Sequence, residues 1–149
     1  MSSDPSRREV EILLVEDDPA DEQLMQQALK ESAVPVSLNV VEDGVEAMAY
    51  LRGQAEYATA LLPDLILLDL KMPKKGGLEV LAEVKADEAL RRIPIIVLTT
   101  SDAPGDIFKA YGLQASAYIT KPSDVKEFDR VTRSLKDFCL TVVKLPPRE

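Results

Sequence analysis

Short runs of apolar residues alternate along this chain with longer stretches whose apolar positions recur every three or four residues. Val10–Val15, Leu65–Leu68 and 94–99 are mostly unbroken apolar runs, Val36–Val41 alternates, and Tyr118-Ile119 is a shorter fragment of the same kind. These five segments are expected to be strands. Between them, 19–32 carries Leu24, Met25, Ala28 and Leu29 at helical spacing, and Gly44–Leu51 carries Val45, Met48, Ala49 and Leu51. Leu78, Leu81 and Val84 line one face of a third helix after Gly76-Gly77, and 106–113 forms a shorter fourth. The last helix, 124–140, carries Val125, Phe128, Val131, Leu135 and Phe138. Asp18 before Pro19 reads as an N-cap with proline at the first helical position, and Gly53 as a helix stop.

Apolar strands separated by helices predict a parallel sheet covered on both faces. Right-handed crossovers wind five such strands into a doubly wound α/β fold. Ligands of these sheets bind beyond the carboxyl ends of the strands. Glu16, Asp17, Asp69, Thr99 and Lys121 all fall at those ends.

Composition narrows the chemistry. The 149 residues fit one domain, and a hydrophobic fraction of 46% supports a real core. The expected organisation is a polar tail at 1–8, a domain at 9–140 and a hydrophobic arm at 141–149. The arm is too apolar for a solvated end, so it packs on its own domain or on a partner. With 26 acidic and 18 basic residues the net charge is −8, which argues against nonspecific nucleic-acid binding over the whole surface. The single Cys139 makes no intrachain disulfide and reads as a small apolar helix residue. No apolar run approaches the roughly 20 residues that span a bilayer, and a cytoplasmic location is expected.

The chain has no histidine. That excludes a phosphohistidine, a Ser-His-Asp arrangement and a histidine metal ligand. Any metal site is then built of oxygen, which suits a hard cation such as Mg²⁺.

Two strands release carboxylates at the same kind of position. Glu16-Asp17-Asp18 follows the first, and Asp69 follows the third. Clustered carboxylates repel, and Mg²⁺ relieves that repulsion while bridging to phosphoryl oxygens. An aspartate there can act as nucleophile and become an acyl phosphate. Lys121 supplies a counter-charge and the Thr99 hydroxyl a hydrogen bond. Taken singly, each residue has a plainer reading. Asp69 would be a loop acid, Lys121 a surface lysine, Thr99 a β-branched strand residue and Asp18 a cap.

The combination resembles the receiver domain of two-component response regulators over about residues 9–140. Four segments carry the resemblance: Val15-Glu16-Asp17-Asp18-Pro19, Asp69-Leu70-Lys71-Met72-Pro73 with Gly76-Gly77, Thr99-Thr100-Ser101, and Tyr118-Ile119-Thr120-Lys121-Pro122. It implies a flavodoxin-like (βα)5 fold and Asp69 as phosphoryl acceptor. It also implies a Mg²⁺ site of Asp17, Asp69, Glu16 and the backbone carbonyl of Lys71, with Glu16 standing where the family often has aspartate. Lys121 would pair with the phosphoryl group, and its bond to Pro122 would be cis. Thr99 and Tyr118 would form a switch pair that alters the face of the fourth helix, fifth strand and fifth helix.

A narrower resemblance rests on Tyr57-Ala58, Leu65 to Leu70, Pro73-Lys74 and the tail from Phe138 to Pro146. These segments are similar to single-domain response regulators that serve bacterial phytochromes, although an aromatic residue is usual where Cys139 stands. The resemblance implies a phytochrome-type histidine kinase as partner and a homodimer through the switch face and the arm, with no direct DNA binding. Two other readings of the receiver are a phosphorelay intermediate and a pseudo-receiver that binds partners without phosphorylation. A haloacid-dehalogenase-like phosphatase would show Asp-x-Asp, whereas Asp69 is followed by Leu70-Lys71. No glycine-rich phosphate loop follows the first strand, which disfavours a nucleotide-binding domain.

Overall fold

The computed structural model describes residues 9–32, 34–142 and 144–147. The polar tail 1–8 and residues 143, 148 and 149 of the arm lie outside the described residues. The order is β1 (Val10–Val15), α1 (Pro19–Lys30), β2 (Val36–Val41), α2 (Gly44–Leu51), β3 (Leu65–Leu68), α3 (Gly77–Ala86), β4 (Ile95–Thr99), α4 (Pro104–Gly112), β5 (Ala117–Thr120) and α5 (Val125–Asp137). All strand pairs are parallel, in the order β2-β1-β3-β4-β5. This is the doubly wound α/β fold that the sequence predicts.

Successive strand residues point to opposite faces, so each strand feeds two cores. On one face Leu13, Val15, Ile66, Leu68, Ile95 and Val97 pack with Met48, Leu51, Val80, Leu81 and Ala110. On the other, Ile12, Leu14, Leu65, Leu67, Ile96 and Leu98 pack with Met25, Leu29, Phe128 and Leu135. Thus α1 and α5 cover one face, and α2, α3 and α4 the other. Asp18 caps α1, its Oδ1 accepting from the amides of Ala20 (2.9 Å) and Asp21 (3.3 Å). Gly53 takes a left-handed φ of 63° after α2, as a helix stop requires.

The last helix differs from its predicted form. It ends at Asp137 and continues as a π-helical turn, Phe138–Val142. Its buried stripe is Phe128, Thr132, Leu135 and Cys139. Val125 and Phe138, expected in the core, stand on the flanks of that stripe, 67% and 54% exposed. Thr132 tolerates burial because its hydroxyl donates to the Asp129 carbonyl at 2.8 Å. Cys139 is a buried apolar residue, and burial pushes its thiol pKa up. Beyond the π-helical turn, Leu145 packs on the α1/α5 core. Leu145 therefore covers its own domain. Among the described residues, no helix is long and apolar enough to cross a membrane.

Gly77 sets the height of the loop after β3. Its amide donates to the Leu70 carbonyl at 2.9 Å. A Cβ there would lie 2.3 Å from the Asp69 carbonyl oxygen and 2.6 Å from the Leu70 Cα. Both obstacles are backbone, so the loop itself must move. Gly77→Ala should cost about 3 kcal/mol by overpacking, even though alanine is intrinsically the better helix former. Urea unfolding measures this, and an unchanged midpoint would remove the constraint.

Candidate functional site

The sheet topology converts strand ends into neighbours. β1 and β3 are paired through Val15 and Leu68, so Glu16-Asp17 and Asp69 emerge side by side. β3 pairs with β4 and β4 with β5, which brings Thr99 and Lys121 to the same edge. Strand order reverses between β1 and β3, and such a switch point is where open α/β sheets bind ligands. Backbone bonds continue the register into the loops, from Asp69 N to Val15 O (3.1 Å) and from Lys121 N to Thr99 O (2.6 Å).

Glu16, Asp17 and Asp69 each place one carboxylate oxygen within 4.8 Å of the others. Glu16 and Asp69 are buried and Asp17 is exposed, leaving the cluster open on one side. Lys121 is buried beneath it, its Nζ donating to Glu16 Oε1 (2.5 Å), Asp21 Oδ2 (2.8 Å) and Asp69 Oδ2 (3.2 Å). The Thr99 Oγ1 is fully buried and has no hydrogen-bond partner among the described residues, so it has capacity for an incoming acceptor. Three close carboxylates form an oxygen donor set that fits a hard divalent cation.

Burial pushes the Glu16 carboxyl up to about 7; the Lys121 ammonium pulls it down and Asp69 pushes it further up. Burial alone would lower the Lys121 pKa, but its bonds to Asp21 and Glu16 outweigh this and the net shift is upward. A cation at the cluster must displace the Glu16 proton. Divalent-ion affinity should therefore rise with pH until about 7 and level off above it. Calorimetric titration across that range checks this. Glu16→Gln should flatten the dependence, and an equally steep slope in that variant would assign the proton elsewhere.

The loop after β3 folds back on Asp69, with the Lys71 amide donating to its Oδ1 at 3.2 Å. The Lys71 side chain is exposed at the rim. Tyr118 is half-buried against the α2/α3/α4 core. Its hydroxyl donates to the Ser101 carbonyl at 2.8 Å, and its amide donates to the Tyr111 hydroxyl at 3.1 Å. Tyr118 thereby ties β5 to the loop that follows Thr99. The Lys121–Pro122 bond, expected to be cis, is trans, the form that X–Pro bonds favour by about 0.5–1 kcal/mol.

One participant, Asp21, escaped the sequence reading. It is the third residue of α1, where an acid is usual because of the helix dipole, and its bond to Lys121 spans 100 positions. The one available signal was its place just beyond the acidic end of β1.

An acidic pocket with a buried lysine at the switch point of a five-stranded parallel sheet defines a receiver. Residues 12–133 match the response regulator receiver domain, and the chain belongs to that family of phosphorylation-accepting domains. It is similar to the response regulator Rcp1 of Synechocystis sp., at 44% identity over 144 residues, 97% of this chain and 98% of that protein. Among solved structures it is similar to the phosphorylated cyanobacterial phytochrome response regulator RcpA, with 48% identity and a TM-score of 0.91 over 94% of this chain and 100% of that one. The Mn²⁺-bound form of Rcp1 also has a TM-score of 0.91, at 44% identity over 93% of this chain and 99% of that one. Receiver domains bind a divalent metal, and the Glu16, Asp17 and Asp69 cluster fits that property.

Proposed function

We propose that this protein is a phosphorylation switch in which Asp69 takes a phosphoryl group from a phytochrome-type histidine kinase. The observation that carries this is the position of Asp69. Its carboxylate lies in the Glu16–Asp17–Asp69 cluster and accepts from Lys121 at 3.2 Å. An Asp69 oxygen attacks the phosphorus of a phosphohistidine. The P–N bond breaks, and its electron pair leaves with the imidazole nitrogen. Lys121 neutralises one phosphoryl oxygen and the Thr99 hydroxyl donates to another. Glu16, Asp17, Asp69 and the Lys71 carbonyl would hold Mg²⁺, which would supply positive charge against the transferring group.

Thr99 and Tyr118 form the switch. A threonine turned toward the phosphoryl group moves the loop whose Ser101 carbonyl holds the Tyr118 hydroxyl. The output face is α4, β5 and α5. Phe108 and Tyr111 on α4 are 80% and 50% exposed and line a hollow with Pro104, Ile107 and Gly112, an apolar surface suited to a second copy of the chain. Output is by homodimerisation through that face and the arm, without direct DNA binding, in the cytoplasm. The phytochrome partner is supported by the likeness to RcpA, itself a phytochrome response regulator.

Intact-mass spectrometry after incubation with acetyl phosphate tests the chemistry. One labile adduct is expected with Mg²⁺ and none with EDTA, and borohydride reduction should leave homoserine at position 69. An adduct at another residue would remove Asp69 as the acceptor. No adduct, where a control receiver is modified, would favour a pseudo-receiver.

A further inference from the structure

Lys121 has three N–H donors, and all three are committed to carboxylates: Glu16, Asp21 and Asp69. Two of these acceptors belong to the cluster that fits a cation. Asp21 does not. Its side chain, 18% exposed, reaches the ammonium from the first turn of α1, whereas the other two follow strand ends.

We propose that Asp21 is a positioning residue for phosphoryl transfer, anchoring the Lys121 ammonium from the α1 side so that one N–H stays aimed at Asp69. The inference rests on Asp69 being the acceptor. Once Asp69 is an acyl phosphate its carboxylate charge is gone and the ammonium turns to a phosphoryl oxygen, while Glu16 shares its charge with a cation. Asp21 alone keeps its full charge for Lys121 at every stage. A lysine on a flexible four-carbon stem needs such a fixed point to hold direction. Among the three bonds, that to Asp69 is the longest, at 3.2 Å against 2.5 and 2.8 Å. The anchor thus holds the ammonium near the nucleophile without tying up its oxygen.

The competing role for Asp21 is purely structural, an acid that stabilises the start of α1. The rate of adduct formation from acetyl phosphate with Mg²⁺ separates the two, with thermal melting as a control for folding. Asp21→Ala should be about tenfold slower, the equivalent of losing one charge-assisted hydrogen bond. Asp21→Asn, which still accepts a hydrogen bond, should fall between. In a Lys121→Met background, Asp21→Ala should change the rate less than about twofold. A single-variant rate within about twofold of wild type, or an undiminished loss in that background, would overturn the assignment. A second readout needs neither metal nor phosphodonor. The Lys121 ammonium should give a slowly exchanging NMR resonance in the wild type that broadens in Asp21→Ala, and an unaltered resonance would equally overturn it. If the adduct forms elsewhere than Asp69, the acceptor reading fails, and the resonance alone still judges the anchor.

Discussion

Asp69→Asn should form no acyl-phosphate adduct under any metal condition, and the metal-free variant should melt at a higher temperature than wild type. The first effect is absolute because an amide offers no anionic oxygen to phosphorus. The second follows from the charges around the site. Asp69 has two carboxylates within 4.8 Å and one ammonium at 3.2 Å. At an effective dielectric of about 20, each repulsion at that limit is worth about 3.5 kcal/mol and the attraction about 5 kcal/mol. The two repulsions together exceed the one attraction, so neutralising Asp69 should stabilise the metal-free fold by about 1–2 kcal/mol. Asparagine keeps the shape and still accepts the Lys71 amide through its Oδ1. The comparison belongs in EDTA at a pH above about 7, where Glu16 is ionised. A lower melting temperature would mean that the Lys121 bond outweighs the crowding. An adduct on the variant would mean a different acceptor.

The site was legible where chemistry coincides with a strand end. Parallel pairing places every carboxyl end on one edge, so an acid after β1, an acid after β3 and a lysine after β5 become neighbours without any knowledge of side-chain geometry. The strands themselves were legible for the same reason, since β1, β2 and β3 begin and end with their hydrophobic runs. Asp21 was not legible. Its bond to Lys121 depends on where the packing of α1 against α5 sets the helix's first turn, and nothing in a helix's first turn distinguishes an anchoring acid from one that merely suits the dipole.

Helix boundaries were less legible than strands. α4 starts at Pro104, two residues before the expected 106, because proline at the first helical position costs no hydrogen bond. The short 3-10 turn Ala55–Tyr57 went unpredicted, since Ala55 adopts a φ of 53° that alanine rarely takes. Likewise, the switch from α to π bonding after Asp137 leaves no mark on the apolar spacing. That spacing held only Phe128 and Leu135 of the buried stripe. Thr132 hid it, because a polar residue whose hydroxyl bonds within its own helix packs as an apolar one would.

Lys121→Met should shift stability the opposite way from Asp69→Asn. Methionine retains most of the stem's volume, so the change removes charge with little loss of packing. The Lys121 side chain is 3% exposed and those of Glu16 and Asp69 are 3% and 9%. Deleting the ammonium strands two buried carboxylates beside each other, a loss that typically costs about 3–5 kcal/mol. A divalent cation offers those acids the same relief. Saturating Mg²⁺ should therefore raise the variant's melting temperature more than the wild type's, because the variant starts with its acids less neutralised. At about a hundredfold excess over the dissociation constant, binding alone contributes about 2.7 kcal/mol, enough to return a good part of the loss. Acidification should act in the same direction as the cation. Without the ammonium that pulls it down, the Glu16 carboxyl of the variant takes up its proton at a higher pH than the wild type's, which does so at about 7, and the variant should recover stability relative to wild type as pH falls toward about 7. Melting curves in EDTA and in Mg²⁺ at two pH values measure all of this. If the variant melted with the wild type in EDTA, Lys121 would not be neutralising the cluster. If it melted lower but gained no more from Mg²⁺ than wild type, the lysine and the cation would not be relieving the same carboxylates.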